Sequence, residues 1–218
     1  STPHCKLQKL NLMNCDQLSN LEDLARVKGA LENLIFTVQH EQMLTQKIIN
    51  PIAQLSSLKE LLLHGFKKLT RQHLMSFASL TNITVLSFGV AFVDDPKKSL
   101  AQLSLFPKLH TLDIKISEDF VYHSFIEAIA QHATSLTQLQ LMCVKTMNQN
   151  AITSDKQQTN KLLDLQLQCI VNKLPKLKKL ALIITGYSCS KAAFYEVLRN
   201  MTSLEELNIP GFVTRSDS

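Results

Sequence analysis

The sequence predicts an α/β solenoid, a right-handed horseshoe with parallel strands on its concave wall and helices on its convex wall. Three observations carry this reading. First, a phrase, Leu-x-x-Leu-x-Leu, recurs as Leu7-Leu10-Leu12, Leu58-Leu61-Leu63, Leu136-Leu139-Leu141 and Leu177-Leu180-Leu182. Conservative variants complete the series at Leu31-Leu34-Phe36, Ile83-Leu86-Phe88, Leu109-Leu112-Ile114 and Leu204-Leu207-Ile209. The first positions of these eight copies lie 24, 27, 25, 26, 27, 41 and 27 residues apart, and a period in the twenties marks a stacked-repeat architecture. Second, each phrase alternates with period two, as a strand with one buried face requires, and then passes into apolar spacings of three and four. Third, the composition is apolar and ordered: 37 of 218 residues are leucine, against 5 Gly, 6 Pro and no Trp, far from the profile of a disordered chain.

The strands follow from the phrases themselves. The helices follow from the intervals: Phe120, Val121, Ile126, Ile129, Ala130 and Ala133 have helical spacing, as do Phe194, Val197, Leu198 and Met201. Helices are expected over 17–28, 43–55, 70–79, 97–105, 118–133, 159–173 and 190–201. Short polar or Pro-bearing turns close the intervals: Leu55-Ser-Ser, Leu80-Thr-Asn, Phe106-Pro-Lys, Thr134-Ser, Leu174-Pro-Lys and Thr202-Ser. A helix is about 10 Å wide and parallel strands sit about 4.8 Å apart, so a stack of such units must curve toward its strands. The 41-residue interval carries about fourteen extra residues, polar and amide-rich, which predict a loop over 145–160. A long loop in a compact protein is either a contact element or a tolerated insertion.

Residues 1–218 read as one solenoid domain of about eight repeats. Neither end shows the polar cap that protects a terminal core, so a fragment of a longer protein is expected. No apolar run reaches the ~18–20 residues of a spanning helix, and the N-terminus lacks the basic and apolar regions of a secretory signal. The five cysteines (Cys5, Cys15, Cys143, Cys169 and Cys189) form no CxxC pair and no zinc-ligand spacing. Free thiols in a reducing compartment, with cytoplasm as the default, are the expectation. The net charge of +5 is spread in twos and threes, which argues against nucleic acid, because that calls for a concentrated stripe.

No residue set nominates a reaction, a metal or a cofactor. The seven histidines never take ligand spacing, and no GxSxG elbow, Walker loop or GxGxxG run exists. Asp94-Asp95 is expected to cap a helix and Glu118-Asp119 to face a helix dipole. Cys169 is expected in the core. Lys173-Leu-Pro-Lys-Leu-Lys-Lys179 is the one local basic cluster, expected to be solvated.

The first repeat sets Cys5 ahead of the leucine phrase, then Cys15, Leu18-Ser19, Leu21 and Leu24-Ala25. It resembles the cysteine-containing class of leucine-rich repeat found in F-box substrate receptors, and ribonuclease-inhibitor-type repeats are close in form. The leucine core of the resemblance covers nearly the whole chain; later copies place Phe66, Ala91, Ser117, Val144 and Thr185 where the first has Cys15. The resemblance implies a non-enzymatic module that recognises a partner protein, as a ubiquitin ligase substrate receptor does. Bacterial effectors that act on host proteins carry similar repeats, and RNA binding through the basic surface is the reading from a different class.

Between the inward leucines, the phrase sets out three columns on the concave face. The first runs Lys9, Asn33, Glu60, Val85, Thr111, Gln138, Lys179, Glu206. The second runs Asn11, Ile35, Leu62, Ser87, Asp113, Gln140, Ala181, Asn208. The third runs Met13, Thr37, His64, Gly89, Lys115, Met142, Ile183, Pro210. Ile35, Leu62, Val85, Met142 and Ile183 are more apolar than a merely solvated face needs, which suits protein binding. Asp113 and Lys115, with Gln138 and Gln140 beside them and His64 in the same ladder, are the candidate polar contacts.

Overall fold

The computed structural model describes residues 5–92, 96–116, 122–143, 156–184 and 189–209. Eight strands form one all-parallel sheet in sequential order. They are β1 (Lys9–Leu12), β2 (Asn33–Gln42), β3 (Glu60–Leu69), β4 (Val85–Phe92), β5 (Thr111–Ile116), β6 (Gln138–Cys143), β7 (Lys179–Ile184) and β8 (Glu206–Asn208). This is a leucine-rich repeat solenoid. Sequential parallel order requires a return path between every pair of strands, and the intervals of the repeat supply it.

The return segments are α1 (Gln46–Ala53), α2 (Arg71–Ser76), α3 (Pro96–Leu100), α4 (Tyr122–His132), α5 (Lys156–Lys173) and α6 (Lys191–Asn200), with 3-10 turns at Glu22–Val27, Phe77–Ser79 and Ala101–Leu105. The helix expected over 17–28 is only the first of these 3-10 turns, and those over 70–79 and 97–105 are α-helices that tighten into 3-10 geometry. In all three intervals the helical segment is ten residues or fewer, which makes little more than two or three turns. The last five residues of the expected 145–160 loop are helical instead, because α5 begins at Lys156. Residues 145–155 lie outside the described residues, as do Asp94-Asp95, Glu118-Asp119 and Pro210.

The core is continuous from Leu21 to Met201. The six inner phrases contribute their second and third apolar positions: Leu34 with Phe36, Leu61 with Leu63, Leu86 with Phe88, Leu112 with Ile114, Leu139 with Leu141 and Leu180 with Leu182 are all buried. The helices close the far side with Ile48, Ile49 and Ile52 on α1, Phe125, Ile126 and Ile129 on α4, and Leu163, Leu167 and Ile170 on α5. Phe36 and Phe66 meet edge to face, 5.3 Å between centroids. On the first and last phrases the same positions are less covered, with Leu10, Leu12, Leu207 and Ile209 half-buried and Leu7 exposed.

Polar turn residues do more than end helices. Ser79 Oγ donates to the Ala53 carbonyl, Asn82 Nδ2 to Ser56, Thr84 Oγ1 to Lys59, Ser135 Oγ to Leu109 and Thr137 Oγ1 to His110. Each bond crosses from one repeat to the one before it. Pro51 is similarly accommodated. A proline inside a helix leaves the carbonyl four residues earlier without its N–H, and the carbonyl of Lys47 accepts instead from Leu21 N of the preceding repeat, at 3.3 Å.

β2, β3 and β4 run past the leucine phrase, at 10, 10 and 8 residues, with bulges in their pairing. Asp16 Oδ1 accepts from Gln39 N and His40 N (2.9 and 2.8 Å), which secures the β2 extension. Gly65 turns the β3 extension at φ +83°, where a Cβ would collide with the Val38 carbonyl. Gly65→Ala combines a disfavoured dihedral with that overlap and is expected to destabilise the chain by on the order of 3 kcal/mol, read as a lower urea midpoint at unchanged m. Gln166 sits buried on α5 with its Oε1 unpaired. Gln166→Met should raise the same midpoint by about 1 kcal/mol, because it removes a desolvated acceptor at nearly constant volume.

Candidate functional site on the open face of the sheet

Backbone pairing sets the register across the sheet. Lys9, Asn33, Glu60, Val85, Thr111, Gln138, Lys179 and Glu206 face one another strand by strand, and so do Asn11, Ile35, Leu62, Ser87, Asp113, Gln140, Ala181 and Asn208. Thr37, His64, Gly89, Lys115, Met142 and Ile183 form the third column. Met13 falls beyond the end of β1 and is exposed.

The ten residues singled out in the sequence therefore share one face, nine of them in three groups and His64 in the third column beside Leu62. Ile35 and Leu62 are neighbours in the second column, with Val85 one strand on. Met142 and Ile183 are neighbours in the third. Between the two groups lie Asp113, Lys115, Gln138 and Gln140. The five apolar side chains are half-buried rather than fully exposed, because each leans on the side chains of adjacent strands at the ~4.8 Å spacing. Gln140 and Lys115 are exposed; Gln138, His64 and Asp113 are half-buried.

One feature of the face was not evident from the columns. Ser87, expected to face solvent, is only 3% exposed. The imidazole of His64 lies across it: His64 Nε2 is 2.7 Å from Ser87 Oγ, and Ser87 Oγ donates to Asp113 Oδ2 at 2.9 Å. Gly89 makes this possible. A Cβ there would stand 2.9 Å from His64 Nδ1, so only an absent side chain leaves room for the ring. The sequence signal was a histidine diagonal to a serine, with a glycine in the place between them.

The order of this chain of bonds decides its chemistry. Ser87 has one hydroxyl proton and gives it to Asp113, so His64 must donate from Nε2, which leaves Nδ1 unprotonated. A serine nucleophile needs the opposite arrangement, with the imidazole taking the hydroxyl proton and the carboxylate behind the imidazole. This network orients a carboxylate and does not activate a hydroxyl. Among the described residues no group of three or more His, Cys, Asp or Glu could hold a metal ion. Cys5, Cys15, Cys169 and Cys189 are free thiols. Burial pushes Cys169 and Cys189 above the ordinary thiol value, which disfavours the reactive thiolate.

Around Asp113 the face dips into a recess of about 380 Å³. Leu62, Val85 and Ala181 supply its apolar wall, Ser87, Thr111, Asp113, Gln138 and Gln140 its polar groups, and Lys179 and Glu206 its far rim. The rim charges pair with each other at 3.0 Å. Beside them Lys178 pairs with Glu205 at 2.8 Å, a hydrogen bond that raises the lysine and lowers the glutamate from their usual values. Half of the basic cluster expected to be merely solvated is thus matched by glutamates of the next repeat. Such exposed pairs contribute little stability, but they break up the positive stripe that a nucleic acid would need.

No known family profile matches the chain, and no curated protein matches it in sequence. Among solved structures it is similar to an internalin (inlF) from Listeria monocytogenes str. 4b F2365, with a TM-score of 0.53 and 22% identity. That match covers 94% of this chain and 48% of the internalin chain, so the sequence spans about half the length of its structural neighbour. At this identity the likeness shows the fold, and the fold is that of a leucine-rich repeat protein. No helix among the described residues is long and apolar enough to cross a membrane.

Burial lowers the pKa of His64 below its ordinary 6.5; Asp113 opposes the shift and Lys115 adds to it. The folded chain therefore resists a proton that the unfolded chain takes up below pH 6.5. Stability from this residue is full above that value, declines as pH falls below it, and levels off once His64 titrates in the folded state too. Urea midpoints measured between pH 7.5 and 5 should fall more steeply for the native chain than for His64→Gln.

Proposed function

We propose that the chain is a non-enzymatic protein-recognition module that holds its partner on the open face of the sheet. The observation that carries this reading is the register. It gathers Ile35, Leu62, Val85, Met142 and Ile183 into two apolar groups on one face, with Asp113, Lys115, Gln138 and Gln140 between them. Apolar anchors combined with a few oriented polar groups are what a protein interface uses: the anchors provide most of the affinity, and the polar groups fix orientation and exclude wrong partners. The two groups together extend from β2 to β7, five strand spacings or roughly 24 Å at ~4.8 Å each, with two spacings between Val85 and Met142; a helix of four to five turns or a short extended segment can span them.

The sharpest form of the reading is the substrate-recognition part of an F-box-type ubiquitin ligase receptor, which the first repeat resembles. An effector that acts on the proteins of a host cell is the alternative. An F-box encoded upstream supports the first, and a secretion signal in a bacterial gene supports the second.

Affinity capture from cell lysate, comparing the native chain with the double variant Leu62→Glu, Asp113→Lys, tests the proposal. A charge at an apolar anchor and a reversed charge at the polar centre should each cost 2 kcal/mol or more at an interface hot spot, so the variant is expected to recover none of the native partners. Equal recovery by both would overturn it. RNA binding would instead appear as affinity that collapses between ~50 and 200 mM salt.

A further inference from the structure

Asp113 carries the one uncompensated charge in the recess. Lys179 and Glu206 cancel each other at the rim. Among the described residues no ion pair reaches Asp113, whose only hydrogen bond is the one from Ser87 to Oδ2. Oδ1 is left to accept. Lys115, two residues further along β5, belongs to the third column and does not line the recess.

The surroundings limit what can meet that carboxylate. Leu62, Val85 and Ala181 offer a greasy wall, suited to the methylene stem of a long side chain and unsuited to a hydrated ion. Gln138 and Gln140 bring amide oxygens that can accept further hydrogen bonds. At about 380 Å³ the recess is at the small end of the ~300–1,000 Å³ typical of ligand sites, room for one or two side chains. A planar cation with several donors on an apolar stem fits all of these: the guanidinium can reach Oδ1 and an amide oxygen together, whereas an ammonium is a compact point charge that keeps its water. We infer that the recess around Asp113 is an arginine-accepting subsite, which seats one arginine side chain of the partner protein.

His64 and Ser87 then have a role in the subsite. The bond from Ser87 holds Oδ2, His64 holds Ser87, and together they fix the plane of the Asp113 carboxylate so that Oδ1 is presented to the recess. They are positioning residues, since neither is asked to touch the guanidinium. Lys115 is the natural competitor, a cation on the same strand and face two residues away. The inference rests on the protein-recognition reading but makes its own demand, a free-standing preference for arginine chemistry that needs no knowledge of the partner.

Titration of the full chain with N-acetyl-arginine amide, N-acetyl-lysine amide and N-acetyl-citrulline amide, followed by ¹H–¹⁵N NMR, tests it directly. Citrulline keeps the shape of arginine and removes its charge. Arginine is expected to move the side-chain amide signals of Gln138 and Gln140 and the backbone amides of Thr111–Lys115 saturably, in the millimolar range suited to so small a ligand. Lysine should bind several-fold more weakly and citrulline at least about tenfold more weakly, as befits the loss of a charge-assisted hydrogen bond. Asp113→Asn, which keeps the shape of the side chain and can still accept from Ser87, should abolish the preference for arginine over citrulline. Lys115→Ala should tighten arginine two- to threefold by removing the competitor. His64→Gln should weaken arginine and leave citrulline unchanged, whereas a merely structural loss would move both. Equal shifts from arginine and citrulline, no saturable shift at Gln138 and Gln140, or an unaltered preference in Asp113→Asn would each overturn the subsite. Those failures leave the capture experiment untouched, and a failed capture leaves an arginine preference standing, so the two readings fall separately.

Discussion

The whole molecule depends on one backbone junction made seven times. The carbonyl of the residue after the first leucine of a phrase accepts from two successive N–H groups of the next repeat. Gln8 receives Glu32 and Asn33, Glu32 receives Lys59 and Glu60, Lys59 receives Thr84 and Val85, and Thr84 receives His110 and Thr111. His110, Thr137 and Lys178 continue the series, with every distance between 2.7 and 3.1 Å. This forked bond sets where each strand enters the sheet, and a slip of one residue would turn every side chain to the opposite face. The buried leucines and the three open columns are consequences of the same register, so neither could exist without the other.

Most of the fold and of the open face was legible in the sequence because leucine spacing encodes burial and alternation encodes facing. The Leu61 and Leu63 side chains go inward and Leu62 outward for no reason beyond the pleat. The return segments were harder to read. Apolar spacings of three and four satisfy an α-helix and a short 3-10 turn alike, so the interval around Glu22–Val27 promised more helix than the six residues of 3-10 turn it holds. The strand extensions past the phrase depend on Asp16 gripping Gln39 and His40 from the preceding repeat, a contact between residues more than twenty apart that no local pattern reveals. The Ser87 network was hidden for a related reason. Columns list neighbours along one line of the sheet, while His64 reaches Ser87 on the diagonal over Gly89.

The face is an uneven surface by composition. Its N-terminal half is apolar through Ile35, Leu62 and Val85, its centre carries a carboxylate held in a set orientation, and its C-terminal half pairs a second apolar spot with lysine–glutamate bridges. A partner bound there must match a sequence of chemistries in one direction. The free-thiol cysteines and the outward-paired lysines contribute no chemistry that competes with this.

The junction between β6 and β7 has the same geometry as the other six, although 41 residues instead of about 26 separate the two phrases. Thr137 accepts from Lys178 and Lys179 at 2.7 and 3.0 Å, indistinguishable from its counterparts. The sheet is therefore insulated from the length of the crossover. Closure entropy grows only with the logarithm of length, roughly 0.6 kcal/mol per doubling, and the register absorbs none of the difference. A lineage, or a protein engineer, can lengthen that crossover with new sequence while the recognition face keeps its alignment residue for residue.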